Sequence, residues 1–236
     1  MIDRVFRRLF SVQTLHVYEM KMEGEANPPW KSISAKVFRL EKDYVSRFVE
    51  EANRLAEGWV VFTVDSVNAR IDAKEICFYA VDDDALIAFA WWAPTNLVST
   101  TFALRMVGDE NVVFGYNSYV SKKVRGKNII VQIYRVAVTE MLKENLSRWV
   151  GYVLPVNVSS LKSLRRFRPE RIGEISCVVI GGVSFQIPKI RKPGIRVERV
   201  GSRFAPWKDI LRKTMIHEPT VPKDSKSSKS VVNKTA

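Results

Sequence analysis

The chain has 236 residues, 46% of them hydrophobic and 11% aromatic, and a formal net charge of +13, which is ample for one or two globular units with a sizeable core. Its two cysteines, Cys77 and Cys177, are too few for a disulfide framework or a zinc site, so buried, inert thiols are expected. The longest apolar run, Leu86 to Pro94, is too short to span a bilayer, and Gln13, His16 and Glu19 interrupt any signal-peptide core, so the expectation is a cytoplasmic protein without a transmembrane segment.

Taken in chain order, Arg7 to Tyr18 reads as a strand, and residues 20–36, with Gly24, Pro28 and Pro29, as a connector. Asp43 to Leu55 places Val45, Phe48, Val49, Ala52 and Leu55 on one helical face, with Gly58 as a stop signal. Three strand-like runs follow, Trp59–Val64, Ile76–Val81 and Leu86–Trp92, and Asp82-Asp83-Asp84 joins the last two as a hairpin turn. Val112–Val120 is the next strand. Ile130, Ile133, Tyr134, Ala137, Val138, Met141 and Leu142 then recur at helical spacing. After them come a strand at Trp149–Leu154, a basic helix at Ser159–Phe167, and a strand pair, Cys177–Ile180 and Val183–Ile187, around Gly181-Gly182. Residues 1–218 are expected to form a single domain with its core at about 75–187. From Pro219 the chain is Lys, Ser and Pro with almost no large apolar residue, and residues 219–236 are expected to be a disordered basic tail. This order gives an α/β chain with a mixed sheet, and it is too irregular for a doubly wound dinucleotide fold.

Charge changes abruptly along the chain. Residues 61–120 carry three basic and eight acidic side chains, whereas residues 121–168 carry eleven basic and two acidic. The step begins at "VSKKVRGKNII", Val120 to Ile130, where a basic turn separates a strand from a helix. Cations are not what a helix N terminus favours by itself, because its first N–H groups lack intrahelical partners and the dipole adds positive potential. An external anion reconciles the two. Arg125 can grip phosphate oxygens through two N–H groups, Lys127 adds charge, and Gly126 lets the backbone bend or come close to a ligand. The glycine spacing and the Lys-Ser/Thr ending of a Walker loop are absent.

Three blocks, in order and at fitting spacing, resemble the GNAT superfamily of N-acyltransferases. "VSKKVRGKNI" is similar to the family's V-x-P-x-[YF]-R-G-K-G-[IL]-G turn, "GYVLPVNVSSLKSL" to its fifth strand running into N-x-x-[AS], and "LRRFRPERIGEI" to its Y-E-K-L-G-F-x-x-[VI]-G segment. The likeness covers about residues 75–187. It implies an α/β (α+β) fold, with a mixed, mostly antiparallel central sheet, a splayed strand pair and flanking helices. It also implies acetyl-coenzyme A or another acyl-coenzyme A as donor. The donor pyrophosphate would lie on the amides of Arg125, Gly126, Lys127, Asn128, Ile129 and Ile130. The pantetheine arm would pair with the strand edge near Val120, and Asn157, with Ser160 in the same motif, would meet the donor arm.

The chain departs from the family pattern at Asn128 and Ile130, where it has glycines, and at Leu164, where a Tyr often protonates the leaving thiolate. No carboxylate occurs between Asn111 and Thr139 to serve as the base. Tyr152 lies where some relatives carry that base. An ordinary phenol pKa of about 10 makes it a poor one, so a positioning role is its catalytic expectation and core packing the alternative. Trp91-Trp92 can line an acceptor cleft, one ring to each face. His16 and His217 have no ligand partner at useful spacing, so no metal is expected. A Ser160 nucleophile has no base in sight, whereas a helix-start hydrogen bond suits it.

Three functions compete at this point. The first is transfer of an acyl group to the amine of a small molecule such as an amino sugar, amino acid or polyamine. The second is the same chemistry from acyl carrier protein, an acidic partner suited to the basic half. The third is a non-catalytic module on this fold that binds an anion or nucleic acid; the basic stretches lack the interleaved aromatics that base stacking needs, which counts against nucleic acid. A homodimer is left open.

Overall fold

The computed structural model describes residues 10–22, 35–58, 60–99, 102, 104–180 and 183–199. An eight-stranded sheet runs in the order β10-β9-β1-β8-β7-β4-β3-β2. Its strands are β1 (Phe10–Lys21), β2 (Lys36–Arg39), β3 (Ile76–Asp82), β4 (Ala85–Pro94), β7 (Val112–Val120), β8 (Arg148–Val153), β9 (Glu170–Ile180) and β10 (Val183–Ile190). All neighbours are antiparallel except β7 and β8. A second sheet pairs β5 (Asn96–Ser99), β6 (Leu104–Gly108) and β11 (Ile195–Arg199). Four helices complete the fold: α1 (Val45–Ala56), α2 (Val64–Asp72), α3 (Ile129–Lys143) and α4 (Val158–Arg165). The mixed, mostly antiparallel sheet with flanking helices is therefore the fold class that the sequence led us to expect.

Both faces of β3 and β4 are buried, which explains their near-continuous apolar runs. On one face, Ile129, Ile133, Ala137 and Met141 of α3 pack on Phe78, Ala90, Trp92, Val113 and Trp149. On the other, Phe48 and Ala52 of α1 and Val67 of α2 cover Cys77, Tyr79, Phe89 and Trp91. The small sheet covers the same face further along, with Leu97, Leu104, Met106 and Ile195 set against Leu15, Val17, Val150 and Ile175. Trp91 and Trp92 point to opposite faces, and both are core residues. Cys77 and Cys177 are free, buried thiols.

One expectation needs correction, and two features were not foreseen. The run at Trp59–Val64 is not a strand: Val64 opens α2, where Thr63 and Ser66 form a reciprocal capping box. The apolar β-branched run hid that cap, and Trp59 itself lies outside the described residues. The central place of the N-terminal strand was not foreseen. The strand lies between β8 and β9 and makes both ladders, because Leu15 and Val17 alternate into the core with no exposed surface. The small sheet was not foreseen, since its strands are only four or five residues long. The tail expected at 219–236 lies outside the described residues.

Candidate functional site

The basic turn forms as the sequence predicts. Ser121 N–H donates to Ile87 O at 2.8 Å, and a single 3-10 turn, Lys122–Val124, buries Val124. Gly126 has φ +83°, and a Cβ placed there would meet no atom within 4 Å, so the turn is open above it. Asn128, at φ 63°, supplies the left-handed residue that opens α3, and its side chain makes no capping bond. The first rung of the helix is Gln132 N–H to Asn128 O, 3.2 Å. The amides of Ile129, Ile130 and Val131 thus have no acceptor within the helix and point toward the turn. Ile129 is fully buried, and half-buried Ile130 packs against the same core. Arg125 folds back, its Nε donating to Val120 O at 3.2 Å and its guanidinium 5.7 Å from the Tyr119 ring centre. Lys127 is exposed, and Lys122 pairs with Glu57.

This turn stands beside a fork. β7 and β8 pair in parallel only from Val112–Arg148 to Gly115–Gly151. Beyond those residues β7 continues to Val120 and β8 to Val153 without pairing to each other. A β-bulge at Asn117, φ 44°, where β7 has one more residue than β4, turns the strand at the opening. The crotch is set by a tryptophan between two glycines. A Cβ on Gly115 would stand 2.2 Å from Trp149 Nε1, and one on Gly151 would stand 2.5 Å from Trp149 Cη2, so only glycine fits under the indole. Trp149 is buried, its Nε1 has no partner among the described residues, and its ring meets Tyr134 edge-on at 5.9 Å.

The remaining expected site residues divide around this fork. Asn157 caps α4, its Oδ1 accepting from the backbone N–H of Ser160 at 3.1 Å. Leu164 is buried in the α3-side core and takes no part in acid chemistry. Tyr152 lies on the opposite face from α3, among residues that join the two sheets. Its hydroxyl bonds Ser99 Oγ at 3.1 Å, its ring meets Phe102 edge-on at 5.6 Å, and burial pushes its phenol up from the usual value. Among the described residues no group of three His, Cys, Asp or Glu side chains is placed to hold a metal ion, and no helix is long and apolar enough to cross a membrane.

The fold also brings together a cluster that no sequence signal marks. Tyr116, the first β7 residue past the ladder, donates its hydroxyl to Glu75 Oε2, at the start of β3. Arg70 of α2 donates to Tyr116 Oη at 3.3 Å. Its guanidinium lies 5.0 Å from the Trp91 ring, 5.3 Å from Phe62 and 5.4 Å from Tyr116. Burial raises the Glu75 carboxyl above its usual value, although the Tyr116 bond and the Arg70 charge oppose the rise. Arg70 and Glu75 are five residues apart, whereas Tyr116 is more than forty residues further on and reaches them through the pairing of β3 with β4 and β4 with β7.

No family model matches the chain, and no curated protein matches it. Solved structures do. A conserved protein of unknown function from Staphylococcus epidermidis superposes with a TM-score of 0.51 at 8% identity, over 76% of this chain and 66% of that one. The chain spans just under two thirds of that protein, and a likeness at this identity concerns the fold alone. A GNAT-family acetyltransferase from Novosphingobium aromaticivorans matches at TM-score 0.48 and 12% identity, over 72% of this chain and 64% of that one. AAC(6')-Iy, solved with a coenzyme A bisubstrate analogue, matches at 0.43 and 16%, over 56% and 88%. These last two scores are too low to carry an argument about this chain, and the reading of its function rests on its own geometry.

Proposed function

We propose that this protein transfers an acyl group from acyl-coenzyme A to the amine of a small molecule. One observation carries the reading: a helix with uncapped first amides and an open, cationic turn stands at the mouth of a parallel strand pair that separates after four residue pairs. A diphosphate suits the amides of Ile129 to Val131, with Lys127 and Arg125 as counter-charges. From there the opened edge of β7 offers backbone groups to an amide-containing arm, and the thioester reaches the crotch at Gly115. Backbone N–H groups of β7 polarise its carbonyl, the amine nitrogen attacks, and the C–S electron pair leaves on sulfur. Leu164 offers the thiolate no proton, so water supplies it.

The resemblance in the turn and in the Asn157 motif supports the same donor. The test is thiol release from acetyl-coenzyme A on addition of glucosamine, lysine or spermidine. Calorimetry that finds no coenzyme A binding at millimolar concentration would sink the reading. Exposed Lys123, Lys127, Lys162 and Arg165 lie on the turn and on α4, so acyl carrier protein belongs in the same assay as a rival donor.

A further inference from the structure

The proposed reaction leaves one task unassigned. An amine that attacks a thioester must shed a proton, and β7 carries no carboxylate. We infer that Tyr116 and Glu75 form the route by which this proton leaves the fork, with Arg70 as a positioning residue. The inference rests on the proposed acyl transfer and assigns a role within it.

The geometry supports each step. Tyr116 follows Gly115, where the β7–β8 ladder ends, so its ring flanks the place where the strands part. It packs against both the α1–α2 cluster and the small-sheet cluster, at the seam on the face opposite α3. An amine approaching from that face meets a phenol whose hydroxyl hydrogen is already given to Glu75. The Arg70 N–H occupies one lone pair of that oxygen, which leaves the other as acceptor. Glu75 in turn lines a hollow of about 400 Å³ shared with Arg39, Ile71, Lys74, Pro94 and Glu144. The pair therefore leads from Tyr116 to an opening in the surface.

The step balances. As the N–C bond forms, the amine proton moves to Tyr116 Oη and the phenol proton moves to Glu75 Oε2. The C–S bond breaks with its electron pair on sulfur. Glu75 then yields its proton to water in the hollow, and the thiolate takes one from water. Tyr116 never has to exist as a free phenolate, which burial disfavours. Arg70, clamped by three aromatic rings, fixes the phenol oxygen in place. A carboxyl raised by burial is a better proton acceptor near neutrality than an ordinary glutamate. The charged or titratable groups facing Glu75 are Arg70 from α2, Tyr116 from β7, Lys74 beside it, and Arg39, Glu41 and Glu144 around the hollow.

The experiment measures thiol release from acetyl-coenzyme A with the amine panel above, for the full chain and for Glu75→Gln, Glu75→Ala and Tyr116→Phe. Binding of coenzyme A is followed by calorimetry on each. The route requires kcat to fall by about 100-fold or more in each variant, with coenzyme A affinity unchanged. It also requires the acidic limb of the kcat–pH profile to vanish in Glu75→Gln. Formate, admitted through the hollow, should restore turnover to Glu75→Ala and not to Glu75→Gln. Should Glu75→Ala fail to fold, Tyr116→Phe, which removes one oxygen, still decides. Turnover within twofold of wild type in Tyr116→Phe, or an unchanged acidic limb in Glu75→Gln, overturns the route and leaves the acyltransferase reading standing. No thiol release from the wild-type chain overturns both.

Discussion

Two carboxylates in this fold, buried Glu19 and half-buried Glu75, are handled in opposite ways. Glu19 of β1, 4% exposed, is fully matched by cations: Arg148 Nε lies 2.7 Å from one oxygen and Lys192 Nζ 3.0 Å from the other. Arg148 also reaches Asp109 and Pro193 O, and Lys192 reaches Glu170, so one network ties β1, β8, β9 and the turn before β11. Glu75 receives a neutral hydroxyl instead, and the nearby guanidinium spends its hydrogen bond on that hydroxyl. A carboxylate bound by two cations holds strands together. One that is desolvated and bonded to a phenol remains able to exchange a proton.

Substitution should separate the two. Glu19→Gln is expected to cost the most stability, about 3 kcal/mol, because Arg148 and Lys192 lose their shared buried anion. Chemical denaturation measures this, and a loss below about 1 kcal/mol would show that the network holds little. Glu75→Gln should cost far less stability and far more turnover.

The pH dependence sharpens the contrast. The folded pKa of Glu75 lies above its unfolded value, so the folded state binds the extra proton. Stability tied to this group is then present below the unfolded carboxyl pKa and is lost as pH rises through the folded one. Glu75→Gln should remove that loss, so its stability relative to wild type improves from pH 4 toward pH 7. Denaturation curves for both chains at the two pH values test the sign, and an improvement in the opposite direction would contradict burial as the cause.

The same contrast separates what the sequence showed from what it hid. The basic turn is contiguous: charge, glycine and helix period all fall between Val120 and Leu142, and the expected strand, turn and helix formed there. Asn157 could be read as a helix start for the same local reason. Glu75, Tyr116 and Arg70 carry no such signal, because each looks like an ordinary surface or strand residue until two ladders bring them together. The central place of β1 was hidden too, since strand order is set by pairing across the chain and alternation fixes only which side faces the core. Trp149 read only as the start of a strand, and the fold is what lays its indole over Gly115 and Gly151.

At the basic turn, Gly126→Ala tests backbone geometry alone. The new Cβ meets nothing, so the cost is the left-handed φ, about 1 kcal/mol, with the turn still formed. Coenzyme A affinity should fall as the turn relaxes, while the pH profile of turnover stays as in wild type. A shift in that profile would mean that the two sides of the fork are coupled.

The smallest effect is expected at Tyr152, and it decides between the two roles read for that residue. Its hydroxyl bonds Ser99 and its ring lies between the sheets, on the side of the fold held by Glu19. A packing role predicts that Tyr152→Phe loses one hydrogen bond, about 1 kcal/mol of stability, and leaves kcat and KM unchanged. Serine 99, nearly buried, would then lack a partner, which sets the cost; replacing it with alanine in the same chain should recover part of it. If Tyr152→Phe instead lowered kcat while Tyr116→Phe did not, proton transfer would belong to β8, and the contrast between the two carboxylates would lose its chemical meaning.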